Sequence, residues 1–304
     1  MATITAKMVG DLRAKTGAGM MDCKKALSEA DGDMEQAIDL LRKKGLSAAA
    51  KKSGRVAAEG MIAAAGSDKH GALVEVNSET DFVAKNVAFQ AFANGVAEVV
   101  LNQNPSDVEA LKELDFSEAG RNVGEELTHQ IATIGENMNI RRCIRLESKS
   151  GVVASYIHGA GKIGVLVQLD SDKGEDPRVA ETARMLAMHV AAANPQYLKR
   201  SEVPADVLAR EKDIMRAKAI ESGKPENIVD KIIEGQINKF YGETCLLEQV
   251  YVIDTDQKVG KVVEALAKEV GGQVTLAAYA RFQLGEGIEK KEDDFAAEVA
   301  SMTK

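Results

Sequence analysis

Tryptophan is absent from this 304-residue chain, and aromatic residues make up only 4% of it. Its cores must therefore be packed mainly from Ala, Val, Leu, Ile and Met, within an apolar share of 45%. The length admits two or more domains, at about 150 residues each. The 28% of charged residues suits a soluble protein. Cys23, Cys143 and Cys245 are too few and too scattered for a disulfide framework, and no C-x-x-C pair exists to hold zinc. No apolar run approaches the ~18 residues of a membrane span. Met1-Ala2-Thr3-Ile4-Thr5 lacks the basic start and apolar stretch of a signal peptide, so a cytoplasmic protein is expected. Positive charge is also short, with a net charge of −8. Residues 1–55 run against that balance, carrying 11 Lys and Arg against 7 Asp and Glu. An acidic body argues against nucleic acid as the main partner. The basic run Arg42, Lys43, Lys44, Lys51, Lys52 and Arg55 has no interleaved aromatics to stack bases, which favours a solvated helix end and linker.

Local catalytic signatures are missing as well, although a Ser/His/Asp or Cys/His site is assembled only in the fold and is not read from residue order. His70, His129, His158 and His189 are too dispersed for an H-x-x-x-H pair, and neither G-x-S-x-G nor G-x-x-x-x-G-K-[ST] occurs. Gly159-Ala160-Gly161-Lys162-Ile163-Gly164 does match the dinucleotide pattern G-x-G-x-x-G. That chemistry needs a helix after the glycines, whose N-terminus receives the pyrophosphate. Here the apolar strand Val165–Leu169 follows, so the glycines are expected to supply positive φ in a hairpin turn. No catalytic residue, metal or cofactor is expected.

What is present has order. Ile4, Met8 and Leu12 recur at helical spacing until Thr16-Gly17-Ala18-Gly19. Met20–Ala30 predicts a second helix, and Met34, Ala37, Ile38 and Leu41 mark a third that stops near Gly45, followed by a linker over Ser47–Gly54. The body then repeats with an offset of about 93 residues, since Gly71-Ala72-Leu73-Val74-Glu75-Val76-Asn77 parallels Gly164-Val165-Leu166-Val167-Gln168-Leu169-Asp170. Strand-like Met61–Gly66 and Val153–Gly159 precede the two copies. Helices over Thr80–Val100 and Pro177–Ala193 follow them, and Asp107–Leu114 and Val123–Ile134 supply further helical patterns between. Each copy reads as a hairpin and a helix, which makes the body α+β. Residues 205–240 carry two narrow apolar seams separated by Ser222-Gly223-Lys224-Pro225, the pattern of an antiparallel helical hairpin projecting as an arm. A strand is expected over Gln249–Ile253, a helix over Val259–Val270, a strand over Val274–Leu284 and an amphipathic helix over Asp293–Met302.

Two stretches invite a partner. Met20 and Met21 are adjacent on a helix and point about 100° apart. A core role for both is therefore strained, and Arg13 and Lys24 lie close enough to rim an adaptable apolar patch. Thr80-Asp81-Phe82-Val83-Ala84-Lys85 joins a strand to a helix, with Thr80 or Asp81 placed to cap it. Phe82 falls in phase with Phe89, Phe92, Val96 and Val100, so the pattern by itself favours a core ring over one projecting from the mouth of the helix. The second copy begins its helix at Asp176-Pro177 and has no such segment, which suggests specialisation in the first.

The run Leu12-Arg13-Ala14-Lys15-Thr16-Gly17-Ala18-Gly19-Met20-Met21-Asp22-Cys23-Lys24-Lys25-Ala26-Leu27 closely resembles the N-terminal signature of the bacterial translation elongation factor Ts family. Val74–Asn77 with Thr80–Lys85 resembles its second signature. Ile134–Asn137 with Ile140–Arg142, Ser155–Gly159, Met188–Ala192, and Arg281–Phe282 with Gly285–Lys290 are similar to later segments in the same order. The resemblance implies a guanine-nucleotide exchange factor that binds elongation factor Tu·GDP and promotes GDP release by displacing Mg²⁺. It implies Thr80, Asp81, Phe82 and Val83 as the magnesium-dislocating element, with Phe82 as the wedge. Arg13, Met20, Met21, Lys24, His158, Val252, Ile253, Arg281 and Phe282 are implied as partner contacts. The organisation it implies is a ubiquitin-associated-like three-helix bundle and linker over 1–55, a core N-subdomain over 56–146, and a core C-subdomain over 147–203 and 242–279. A coiled-coil arm over 204–241 and a C-terminal helical module over 280–304 complete it. Dimerisation through the arm and simple protrusion both stay open, and no direct contact with nucleic acid or membrane is implied.

Overall fold

The structure is a computed structural model that describes residues 3–116, 120–223 and 225–289. It opens with α1 (Ala6–Thr16), α2 (Met20–Glu29) and α3 (Met34–Lys52). Side chains start two of these helices, since Thr5 Oγ1 accepts from the Met8 N–H and Asp33 Oδ1 from the Gln36 N–H. Leu12, Cys23, Leu27 and Ala37 form the small core of the bundle. Helix α3 overturns one expectation, because it runs through Gly45 and over the expected linker as far as Lys52. Ala48, Ala49 and Ala50 favour helix strongly. Gly45 lets α3 approach a later helix closely, since a Cβ added there would sit 3.5 Å from Ala132.

The repeat becomes two three-stranded antiparallel sheets. In the first, β1 (Glu59–Gly66) and β2 (His70–Ser78) form the hairpin, then α4 (Asp81–Ala84) and α5 (Val87–Gln103) follow. Next come α6 (Val108–Glu113), the short pair β3 (Asp115–Phe116) and β4 (Arg121–Asn122), and α7 (Val123–Ile134). The strand β5 (Met138–Glu147), which the sequence patterns did not reveal, then pairs with β2. The second unit repeats this plan with β6 (Val152–His158), β7 (Ile163–Ser171), α8 (Pro177–Ala193) and, much later, β8 (Val274–Gln283) beside β7. Details recur with the plan. The middle strands shift register at Glu75/Val76 and at Gln168/Leu169. Helices α5 and α8 each end on an Asn with φ 47°.

Alternation along the strands explains the layering. Ala72, Val74 and Val76 face Phe89, Phe92 and Val96 of α5, and Val165, Val167 and Leu169 face Leu186 and Val190 of α8. The opposite faces meet each other through Ile62, Leu73, Val153 and Leu166. Helix, sheet, sheet and helix thus stack in four layers. The contact is reciprocal: a Cβ at Gly71 would lie 2.8 Å from Leu166, and one at Gly164 3.1 Å from Leu73 and 2.5 Å from Ile62. The glycine that opens each repeated strand makes room for the leucine of the other copy.

Between α8 and β8 the chain makes α9 (Ala205–Glu221) and α10 (Glu226–Thr244), packed along Leu208, Met215, Ala219, Val229, Ile233, Ile237 and Tyr241. Helix α11 (Val259–Val270) follows. The strand expected over Gln249–Ile253 does not form; a single bridge joins Val250 to Lys258. Gln249 instead spends its amide on the Ala193 and Glu243 carbonyls, which bends the chain into a loop. The helix expected over Asp293–Met302 lies outside the described residues.

Candidate functional site

The expected helix over Thr80–Val100 is two helices, and the break between them decides where Phe82 points. Helix α4 stops after four residues, with the Lys85 and Asn86 N–H groups bonded to the Phe82 and Val83 carbonyls. Asn86 Oδ1 then accepts from the Ala88 N–H at 2.8 Å and starts α5. Phe82 is consequently out of phase with the buried stripe of Phe89 and Phe92. Phe82 is 78% exposed, while the adjacent Val83 is 7% exposed and sits in the first core. Burial of Val83 contributes about 1.5 kcal/mol towards anchoring a helix too short to persist alone.

Long-range hydrogen bonds hold this turn. Thr80 donates its N–H to Glu136 Oε2 at 2.9 Å and its hydroxyl to Glu136 Oε1 at 2.7 Å. Glu79 accepts from the Asn137 N–H and from Arg55, and Asn137 Nδ2 donates to the Arg55 carbonyl at 2.7 Å. Gly135, with φ 91°, ends α7 and turns Glu136 and Asn137 towards α4. Asp81 pairs with Lys85 at 2.7 Å, and that hydrogen bond holds its carboxyl below the usual carboxylate range. The Lys85 ammonium lies 5.7 Å from the centre of the Phe82 ring.

The turn between β6 and β7 lies alongside. Gly161 accepts from the Ile62 N–H at 2.8 Å, which seats the turn on β1, and the Lys162 charge also lowers the pKa of Asp81. His158 at the end of β6 is exposed and meets the Tyr156 hydroxyl through Nδ1 at 3.0 Å. The G-x-G-x-x-G glycines thus join two antiparallel strands, and no helix follows them to receive a pyrophosphate.

Val252 and Ile253 are exposed on the 249–258 loop, which a buried histidine organises. The Val252 N–H donates to His189 Nδ1 at 3.2 Å, so Nε2 carries the ring proton and donates to Gln249 Oε1 at 3.0 Å. Burial holds the His189 pKa below its usual value, which keeps this neutral tautomer in place. In the N-terminal bundle Met20 and Met21 are both exposed, Met21 at 76%, with Arg13 and Lys24 exposed near them.

Arg281 and Phe282 are placed differently, because both are engaged within the protein. Phe282 packs into the seam between the sheets, with the Arg142 guanidinium 4.3 Å from its ring centre. Arg281 donates to the Ala191 carbonyl at 3.4 Å and to Gln283 at 3.2 Å, and burial lowers its pKa. Close by, the fully buried Glu75 accepts from Arg141 at 3.1 Å, Arg142 at 2.6 Å and the Gly285 N–H at 2.8 Å. Burial pushes the Glu75 carboxyl up, but the Gly285 N–H and Arg142 overcome that and hold it below the usual range. Glu75, Glu136, Asn137 and His189 lie within the motif segments, yet apart from Asn77, which donates to Glu75 from two residues on, their partners are 56 to 210 residues away along the chain. Nothing in local spacing could name them. Among the described residues no group of His, Cys, Asp and Glu could hold a metal ion, and no helix is long and apolar enough to cross a membrane.

Comparison with known proteins bears on this arrangement. The family model described as Elongation factor TS matches residues 79–286. An elongation factor Ts of Syntrophotalea carbinolica is 67% identical over 301 residues, covering 99% of each chain. Those of Magnetococcus marinus and Clostridium perfringens are 56% and 52% identical over 301 and 303 residues, covering at least 98% of this chain and 99% of theirs.

Proposed function

The chain belongs to the elongation factor Ts family, and from that premise we propose how its surface performs nucleotide exchange. It is a guanine-nucleotide exchange factor for elongation factor Tu in translation elongation, a task done by binding energy without covalent catalysis. The finer reading is that Phe82 is the wedge. A factor that binds the nucleotide-free GTPase more tightly than the GDP form weakens GDP by the same factor. A ring inserted beside the nucleotide site shifts the segments that hold Mg²⁺ and phosphate. Since Mg²⁺ bridges the phosphate charge, its loss releases GDP.

One observation carries this reading. The turn over 80–85 spends an anchor, Val83, and four side-chain hydrogen bonds on holding a large apolar ring in water. An exposed Phe is costly to ignore when its scaffold is this well fixed. Asp81 and Lys85 screen the ring base, and His158 lies on the neighbouring turn as a second contact. Arg13, Met20, Met21 and Lys24 on the 1–55 bundle, and Val252 and Ile253 on the His189-held loop, supply the remaining contact surface. Arg281 and Phe282 lie in β8, so the first residues of the expected 280–304 helical module belong to the second sheet, and both act indirectly by fixing the seam between the sheets. The core subdomains over 56–146 and over 147–203 with 242–279 form the rigid frame, and the arm over 204–241 projects from it in the cytoplasmic protein.

The test is GDP release. The chain is expected to accelerate loss of fluorescent GDP from elongation factor Tu in stopped flow, and Phe82→Ala to slow that loss about tenfold or more without changing the thermal midpoint. An unchanged rate would remove the wedge; a large fall in the midpoint would make Phe82 a folding residue instead.

A further inference from the structure

We infer that Glu136 is a positioning residue for exchange, whose carboxylate fixes the orientation in which the 80–84 turn presents Phe82 to the GTPase. The inference rests on the assignment of Phe82 as the wedge.

The duplicated unit provides an internal control. In both copies the residue just past the middle strand accepts from the N–H that precedes the third strand. Glu79 takes the Asn137 N–H in the first copy, and Asp172 takes the Gln273 N–H at 2.8 Å in the second. This bond belongs to the shared fold. The contact made by Glu136 does not. Glu136 precedes Asn137 as Gly272 precedes Gln273. A Cβ added at Gly272 would lie 2.4 Å from Asp172 Oδ1 and 2.6 Å from the Lys173 side chain, so a side chain there would have to push both aside. Lys173, which matches Thr80, gives its N–H to Ser171 Oγ at 3.0 Å within its own loop. The two-point clamp is therefore found in the copy that carries Phe82, and the plain copy folds without it.

Its geometry suits positioning. The two carboxylate oxygens take different donors on one residue, the Thr80 N–H and the Thr80 hydroxyl, which fixes both the backbone and the side chain of the cap. The same hydroxyl oxygen accepts from the Val83 N–H at 3.4 Å, so the clamp passes directly into the first turn of α4. A four-residue helix has almost no stability of its own, and the direction of its ring follows its cap. Without Glu136 the ring samples several directions, and the cost of ordering it falls on the step that expels GDP.

The experiment is a double-mutant cycle in the full chain, read as stopped-flow release of fluorescent GDP from elongation factor Tu across factor concentration. Glu136→Ala is expected to lower the maximal rate about tenfold, the scale of lost hydrogen bonds to a charged group. The half-saturating concentration should move less than about twofold, because the other contact surfaces are untouched. Glu136→Gln should restore most of the rate, since its carbonyl accepts the Thr80 N–H while its NH₂ donates to the Thr80 hydroxyl. Glu136→Ala combined with Phe82→Ala should be no slower than Phe82→Ala alone. Multiplied effects, a raised half-saturation at unchanged maximal rate, or no rescue by Gln would each overturn the inference. If Phe82→Ala alone leaves release unchanged, the wedge falls and this inference with it; if Phe82→Ala slows release and Glu136→Ala does not, this inference alone falls. Should Glu136→Ala not fold, Thr80→Val, which removes the hydroxyl arm and with it the cap on the Val83 N–H, must lower the maximal rate at unchanged half-saturation.

Discussion

Adding one methyl group to Gly164 tests the reciprocal packing that joins the two sheets. The new Cβ would stand 2.5 Å from Ile62 Cγ2, 3.1 Å from Leu73 Cδ2 and 3.2 Å from Ile157 Cδ1. Apolar carbons prefer about 3.5–4.0 Å, so Ile62 would have to retreat by about 1 Å. Neither side yields easily. Gly164 lies on β7, hydrogen-bonded to β6 on one side and β8 on the other. Ile62 lies on β1, paired with β2 and pinned by its N–H to the Gly161 carbonyl. Overpacking of this kind costs about 1–3 kcal/mol, and the rigidity of both strands puts Gly164→Ala near the upper end. In a chain of this size that is a fall of about 4–8 °C in the thermal midpoint. Gly10→Ala is the control, because nothing lies within 4 Å of its Cβ position on α1. It should be neutral or stabilising by about 0.5–1 kcal/mol. Ile62→Ala removes the clashing methyl, so the double variant with Gly164→Ala should be more stable than the sum of the two losses. Circular dichroism melts and urea midpoints check this. A Gly164→Ala protein that melts with the parent, or strict additivity in the double variant, would refute the packing argument.

Two pH-linked expectations follow from the buried groups. His189 folds with its pKa below the usual 6.5, so the folded state binds fewer protons than the unfolded chain. Its contribution is full above about pH 6.5 and is lost as pH falls through the lowered value, with Val252 and Ile253 released first. The thermal midpoint should decline over that window, and His189→Asn should flatten the decline; parallel curves would contradict the assigned tautomer. Glu75 is held below its usual 4.5, so its stabilisation is complete above that pH and is lost as acid brings the carboxyl through its lowered folded value. Glu75→Gln leaves Arg141 and Arg142 without their buried counter-charge. It should cost about 3 kcal/mol in urea unfolding at neutral pH and weaken acid sensitivity, and a cost under about 0.5 kcal/mol would count against the network.

Much of this molecule is legible from residue order. The three N-terminal helices, the hairpin-plus-helix duplication and the helical hairpin after Pro204 all follow from local periodicity and from glycine, which acts over a few residues. Local periodicity also misled. It joined Thr80 to Val100 in one helix, where the Asn86 side chain starts a second, and it ended α3 at Gly45, where contact with Ala132 carries it onward. It made Gln249–Ile253 a strand, although side-chain bonds to His189 and two carbonyls bend it into a loop.

The sequence by itself determined the family, the duplicated plan and the segment around Phe82, because signatures and repeats are properties of order along the chain. Only the tertiary structure decided which way Phe82 faces, that Gly71 and Gly164 each receive the other copy's leucine, and that Glu136 reaches Thr80 across 56 residues. Those are contacts between distant segments, and their energy depends on a geometry that exists only once the sheets have packed.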